Sequence, residues 1–313
     1  MTTESSQPHP RAPAARQSDS MAGVLMGIGA YMWWGGVTAI YVKSVSHVNS
    51  FDVLAHRIVW ASINLLPILF LWPNARKQLA FLRSWPVVRL LLLTTLFIVA
   101  NWLAFIYAVS NNRLLEASVG YFVTPLVSVV LARIFLAERM NTAQQISVCC
   151  VVLSVVIRVW HTGTLSWISA VLALSFGFYG LLRKKGELAA LPNLALEATI
   201  AMPFAAAFLL YRLSQGEPSF GTDTKTTVLL LLGGIVTIVP LLFFAGAARR
   251  LRLTTLGMIQ YLAPIGQLIL SVWVFKERTL EAVDYVTLGL IWLALVIYTI
   301  DGFRRRPRKP RSL

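Results

Sequence analysis

The residues predict an all-α integral membrane protein with ten transmembrane helices arranged as two inverted five-helix repeats. Three observations predict it: apolar residues gather in long blocks almost free of charge, the blocks do not alternate, and a stretch of the first half recurs 139 residues later. Of the 313 residues, 57% are hydrophobic and 13% charged, against roughly 25% charged in soluble domains. A soluble fold of this size needs a far more polar exterior. In hydrocarbon every backbone N–H and C=O must be paired within the protein, so only helices and closed barrels span. Barrel strands alternate with a period of two, whereas Leu90-Leu91-Leu92-Leu93 and the run from Val148 to Val156 do not.

Spans fall at roughly 22–42, 53–72, 87–109, 114–136, 142–160, 165–183, 194–212, 226–248, 254–275 and 283–301, each long enough to cross about 30 Å of hydrocarbon at about 1.5 Å per residue. The connections are short, so successive helices are antiparallel neighbours. Asn111-Asn112-Arg113 is barely a turn, and Thr142 with Gln145 has capping-box spacing. With the N-terminus inside, the inner segments hold 19 Lys and Arg and the outer segments 7, which places both termini in the cytoplasm. Residues 1–21 read as a disordered cytoplasmic tail with no cleavable signal, 22–160 as the first repeat, 165–303 as the second, and 304–313 as a basic cytoplasmic tail. The net charge of +15 sits in short loops and that tail, a topology signal with some attraction to anionic lipid rather than a nucleic-acid surface. Cys149 and Cys150 are adjacent in an apolar block and imply neither a disulfide nor a metal site.

Under the 139-residue shift, Arg113-Leu114 falls on Arg252-Leu253, Pro125 on Pro264, and Glu138-Arg139 on Glu277-Arg278. Asn101, Phe105 and Ala108 fall on Pro240, Phe244 and Ala247. Each half has an odd number of spans, so the second is upside down relative to the first. Inverted repeats mark many secondary transporters, with the site near the midplane at the repeat interface.

Charged residues inside a bilayer are costly and usually face a cavity or a partner. His56 and Arg57 lie about one turn below the outer end of the second span, with Trp60 and Asn64 on the same broad face. Arg57 beside an aromatic ring either binds a carboxylate or π-rich ligand at a cavity mouth or snorkels to the interface. Glu116 leads a polar stripe through Gly120, Thr124 and Ser128; it either exchanges a proton, pairs with Arg57 or Arg113, or favours a helix N-terminus. Gln260, Pro264, Gln267 and Ser271 share a face that the repeat matches to Tyr121, Pro125, Ser128 and Ala132. Pro125, Pro240 and Pro264 each free a carbonyl four residues back, for a kink or for gating. Trp33, Trp34 and Trp102 are too deep for an interfacial belt and either line a pocket or pack; Tyr179 and Gly180 lie in a similar aromatic run. There is no Walker loop, GxSxG, HExxH or CxxC.

His56-Arg57-Ile58-Val59-Trp60, Asn101-Trp102, the run from Asn111 to Phe122 with Pro125-Leu126, Phe178-Tyr179-Gly180-Leu181 with Arg183-Lys184-Lys185, Thr237 to Pro240, Arg250-Leu251-Arg252-Leu253 and Gln260-Tyr261 resemble the RarD-type permeases of the EamA branch of the drug/metabolite transporter superfamily. The resemblance covers about residues 22–303. It implies two inverted five-helix halves, a bacterial inner-membrane location and secondary transport of small molecules. RarD proteins carry a chloramphenicol-sensitive label that names no physiological substrate, and other branches export amino acids and related metabolites.

The expectation is therefore a non-enzymatic secondary transporter, an exporter of a small metabolite or drug-like solute working by alternating access. His56, Arg57, Trp34, Asn101, Trp102, Glu116, Tyr121, Tyr179, Gln260 and Tyr261 are the expected solute contacts, with proton coupling assigned to Glu116. No cofactor or metal is expected. The expected partners are the solute, the lipid bilayer and a second copy in a homodimer, with no nucleic acid. The rival readings are an intramembrane enzyme acting on a lipid and a non-transporting membrane subunit.

Overall fold

A helix satisfies its own backbone polar groups, so apolar spans fold individually and then assemble by shape and a few interhelical hydrogen bonds. The computed structural model describes residues 20–71, 79–135, 137, 140–185, 190–251, 259–277 and 279–304. The helices are α1 Met21–Ser44, α2 Ser50–Leu71, α3 Trp85–Ser110, α4 Leu114–Phe135, α5 Thr142–Thr162, α6 Trp167–Lys185, α7 Ala190–Ser214, α8 Thr224–Arg250, α9 Leu262–Val274 and α10 Ala282–Arg304. Eight are long and apolar enough to span a bilayer, and the other two contribute the shorter apolar helices Trp167–Arg183 and Leu262–Val274. No strand occurs among the described residues. Residues 1–19 and 305–313 of the expected tails lie outside the described residues, as do Glu138, Arg139, residues 252–258 and Arg278 of the repeat.

Local chemistry starts the helices. Ser20 accepts the Gly23 N–H at 3.1 Å ahead of α1, and Asp223 accepts that of Thr226 at 2.8 Å ahead of α8. The capping box of α5 sits one residue earlier than the expected Thr142 and Gln145. Asn141 accepts the Gln144 N–H at 2.9 Å and Gln144 returns the bond at 3.1 Å. The reason is that Asn141 is extended while Thr142 is already helical, so only the Asn141 side chain can turn back onto the third amide. Helix α4 borrows its cap. The N–H groups of Leu114 and Leu115 donate to the carboxylate of Glu277, at 3.2 and 3.3 Å, from just beyond the end of α9.

The chain ends share one end of the bundle, the termini end. There Ser20 N–H meets the Arg250 carbonyl at 3.4 Å and the Asn141 amide donates to Asp301 at 2.7 Å. Lys43 with Asn112, and Arg158 with Asp284, meet at the opposite, far end.

The packing respects the repeat. Exchanging the halves pairs α1 with α6, α2 with α7, α3 with α8, α4 with α9 and α5 with α10. The contacts α5–α10, α2–α7 and α4–α9 map onto themselves. The contact α1–α8 maps onto α3–α6, α2–α8 onto α3–α7, and α4–α6 onto α1–α9, and all six are present. Ala137 and Lys276, 139 residues apart, both follow a helix end with a left-handed backbone, φ 53° and 50°.

Two helices contain a wide π-turn, Trp33–Val37 in α1 and Leu270–Val274 in α9. Such turns often mark functional positions, and the first includes Gly35-Gly36. At Gly35 the backbones of α1 and α9 touch: an added Cβ would lie 2.6 Å from the Ala263 carbonyl oxygen. The carbonyl freed by Pro240, that of Val236, accepts the indole N–H of Trp33 at 3.1 Å, so a break in one helix becomes a bond to another.

Candidate functional site

Helix α2 carries the polar centre. It begins at Ser50, so Arg57 lies about two turns in, roughly 10 Å below the helix end, deeper than the sequence suggests. The side chain does not reach the interface; Arg57 is 4% exposed. Its Nε donates to Thr237 Oγ1 of α8 at 3.2 Å, and the guanidinium carbon lies 5.9 Å from the ring centre of Trp102 on α3. Paired glycines on α8 make room for this. A Cβ on Gly233 would fall 2.5 Å from the Tyr41 hydroxyl and 3.0 Å from Arg57 Cγ, and one on Gly234 would fall 2.8 Å from Trp60 Cβ. Among the described residues Arg57 has no ion pair, and its Nη1 has no hydrogen-bond partner. The buried Tyr41 hydroxyl and Trp60 indole nitrogen likewise lack partners.

Behind Trp102 a polar chain ties three helices. Tyr121 of α4 donates to Asn101 of α3 at 2.9 Å, and Asn101 donates to the Leu172 carbonyl and to Ser175 of α6, at 3.2 and 3.0 Å. Asn101 is thus engaged by the protein, while Tyr121 and Trp102 stay half-buried. At the far end, the loop after α7 lays Phe220 over His56, stacked at 5.5 Å, and against Trp60 at 6.0 Å. Asp52 anchors that loop: it pairs with Arg212 at 3.3 Å and accepts the Ser219 hydroxyl.

The structure gathers Arg57, Trp102, Tyr121, Asn101 and His56 of the expected contacts. Others lie elsewhere. Glu116 sits at the far end of α4, paired with Arg113 at 2.6 Å and accepting the Ser166 hydroxyl. Trp34 belongs to an aromatic cluster with Tyr31 and Phe244, at 5.3 and 5.9 Å. Tyr261 packs in an apolar cluster with Phe122 and Ile291. Gln260 is half-buried in the turn before α9, and Tyr179 donates to Glu197 at 3.1 Å. Of the expected kinks, Pro125 and Pro240 lie inside α4 and α8, and the Pro264 carbonyl accepts the Ser118 hydroxyl at 2.8 Å. Sequence reasoning missed Tyr41, Thr237, Phe220 and Glu197. Only Glu197 had a plain signal, as the sole carboxylate within the apolar run 194–212. Among the described residues no group of three or more His, Cys, Asp and Glu is placed to hold a metal.

Residues 21–160 match the model of the EamA-like transporter family. The chain is 37% identical over 289 residues to an uncharacterized transporter of Vibrio cholerae serotype O1, covering 92% of this chain and 95% of that one. It is 36% identical over 287 residues to the protein RarD of Escherichia coli strain K12, covering 91% and 96%. A solved crystal structure superposes with a TM-score of 0.54 at 18% identity, covering 90% of this chain and 99% of that one, which is a likeness of fold.

Proposed function

Because this chain belongs to the EamA-like transporter family as a RarD-type member, and so is a multi-pass membrane transporter, we propose that it exports a small anionic solute across the bacterial inner membrane by alternating access. One observation carries the substrate class. Arg57 is buried at depth with no ion pair and with Nη1 unpartnered among the described residues. A guanidinium in that position costs free energy unless something anionic completes it, and its planar fork suits a carboxylate bound by two parallel hydrogen bonds. Trp102, Tyr121 and Tyr41 supply apolar faces and hydroxyls beside it. The far end, where Phe220 covers His56 and Trp60, is the outer side on this reading, and the excess of Lys and Arg supports cytoplasmic termini. Export is carried over by analogy with other branches of the superfamily, which export amino acids and related metabolites.

The test is an untargeted metabolite profile of the growth medium. Cells making the native protein are compared with cells making Arg57→Ala or Arg57→Lys at equal membrane abundance. The expected result is an anionic compound enriched outside with the native protein. It falls on the order of tenfold or more in Arg57→Ala, in line with losing charge-assisted hydrogen bonds of about 1.5–3 kcal/mol. Arg57→Lys should fall between, since it keeps the charge and loses the fork. Equal profiles for native and Arg57→Ala would overturn the assignment, and depletion of the compound from the medium would reverse the direction.

A further inference from the structure

A second polar site lies nearer the termini end. Glu197 of α7 is 1% exposed and sits about 10 Å in from Ala190 at about 1.5 Å per residue. Among the described residues its hydrogen-bond partners are neutral. Asn193, one turn earlier, donates to Oε1, and the Tyr179 hydroxyl of α6 donates to Oε2 at 3.1 Å. Thr94 of α3 faces the same carboxyl, while its own hydroxyl is directed at the Leu91 carbonyl at 3.1 Å. No ion pair forms at Glu197 among the described residues. A cation, Arg183, lies one turn beyond Tyr179, with its guanidinium carbon 6.0 Å from the Tyr179 ring centre. The neighbouring faces of α2 and α8 are apolar, with Leu65, Leu69 and Ile238 in the adjoining cluster.

This arrangement suits both protonation states. The Asn193 and Tyr179 donors serve the carboxylate. The Tyr179 hydroxyl can also reverse, accepting from the carboxylic acid instead of donating to the carboxylate. A carboxyl kept in hydrocarbon, where its described hydrogen-bond partners are neutral, is costly unless its charge is used. Glu116, assigned this role by the sequence, already has Arg113 as its countercharge. Rings also link the two sites: Tyr179 lies 5.9 Å from Phe176, and Phe176 lies 6.4 Å from Tyr121 beside Arg57.

We propose that Glu197, held by Asn193, Tyr179 and Thr94, is the proton-binding site that couples solute movement to proton flow. It takes a proton from water when open to one side and returns it to water on the other. The inference rests on the transporter reading above, and its test separates the two. Infrared difference spectra of the purified full-length protein, titrated over roughly pH 4 to 9 to bracket carboxyl pKa values and their tails, use the proton as probe and need no solute. The native protein should show a carboxylic-acid band that appears on acidification and is missing from Glu197→Gln. Tyr179→Phe should keep the band and move its midpoint, which confirms a folded site. In cells, the compound found in the medium profile should lose at least tenfold of its enrichment with Glu197→Gln, to the level that a protonophore produces with the native protein. A native spectrum with no titrating band that Glu197→Gln removes would overturn the proposal. So would Glu197→Gln export that equals native export and stays as sensitive to the protonophore. If no compound distinguishes native protein from Arg57→Ala, the solute-site reading fails, while the spectra still decide proton binding at Glu197.

Discussion

Helix α4 starts without a capping side chain of its own, and its first amides depend on a carboxylate that arrives from α9. Replacing Glu277 tests whether that bond holds the far ends of the two helices together. The carboxylate accepts from Leu114 and Leu115 N–H at 3.2 and 3.3 Å and from the Ser271 hydroxyl at 2.8 Å. Hydrogen bonds to a charged group are worth about 1.5–3 kcal/mol each, and a charge at a helix N-terminus adds about 0.3–1 kcal/mol. The bonds here are long and the residue is only half-buried, so water recovers part of the loss. Glu277→Ala should then cost about 2 kcal/mol, roughly a thirtyfold shift of the local opening equilibrium at about 1.36 kcal/mol per tenfold. Glu277→Gln keeps one acceptor oxygen and should cost about 1 kcal/mol, roughly fivefold. Hydrogen exchange of peptides spanning the α3–α4 turn reads this directly, with Leu114 and Leu115 exchanging faster in the order Ala, Gln, native. Unchanged exchange at these two amides in Glu277→Ala would refute the reasoning, because their only strong acceptor would then be something else.

Three further outcomes follow from the packing. Trp33→Phe should lower stability by about 1 kcal/mol by leaving the Val236 carbonyl unpaired; in a Pro240→Ala background the regained backbone N–H should cancel most of that loss, and a double-mutant cycle on thermal melts that shows no coupling would contradict it. Gly233→Ala should destabilise by about 1–3 kcal/mol through overpacking and abolish transport while the protein still inserts, because the new Cβ meets Tyr41 and Arg57; wild-type melting and export would rule this out. Hydrogen bonds from Thr226 hold the Asp223 carboxyl below its ordinary 3.8, so its contribution to the start of α8 is present above that value and lost as pH falls through the lower folded value; Asp223→Asn should remove this acid sensitivity from exchange of the first α8 amides, and persistence of the sensitivity would assign it elsewhere.

Hydropathy and charge were enough to read ten helices, their order and their alternation, because each helix in hydrocarbon closes its own backbone bonds and so depends on its own residues. The recurrence of Pro125 and Pro264 was enough to find the repeat that the packing obeys. Local motifs came through to within a residue, as at Asn141 and Gln144. The direction a side chain faces was not readable in the same way. Arg57 and Glu116 looked alike from the sequence, two charges near the outer ends of the second and fourth spans. Tertiary structure turned Arg57 inward onto Thr237 and Trp102, while Glu116 took the local partner Arg113, three residues before it, that the sequence had offered among its alternatives. Glu197 passed unnoticed until α3 and α6 closed around it, and Glu277 became a cap only when α9 met α4. Several of these pairings join residues far apart in the sequence, 180 positions from Arg57 to Thr237 and 163 from Leu114 to Glu277. They depend on how each helix is rotated and tilted, which neighbouring helices decide and which no helical period encodes.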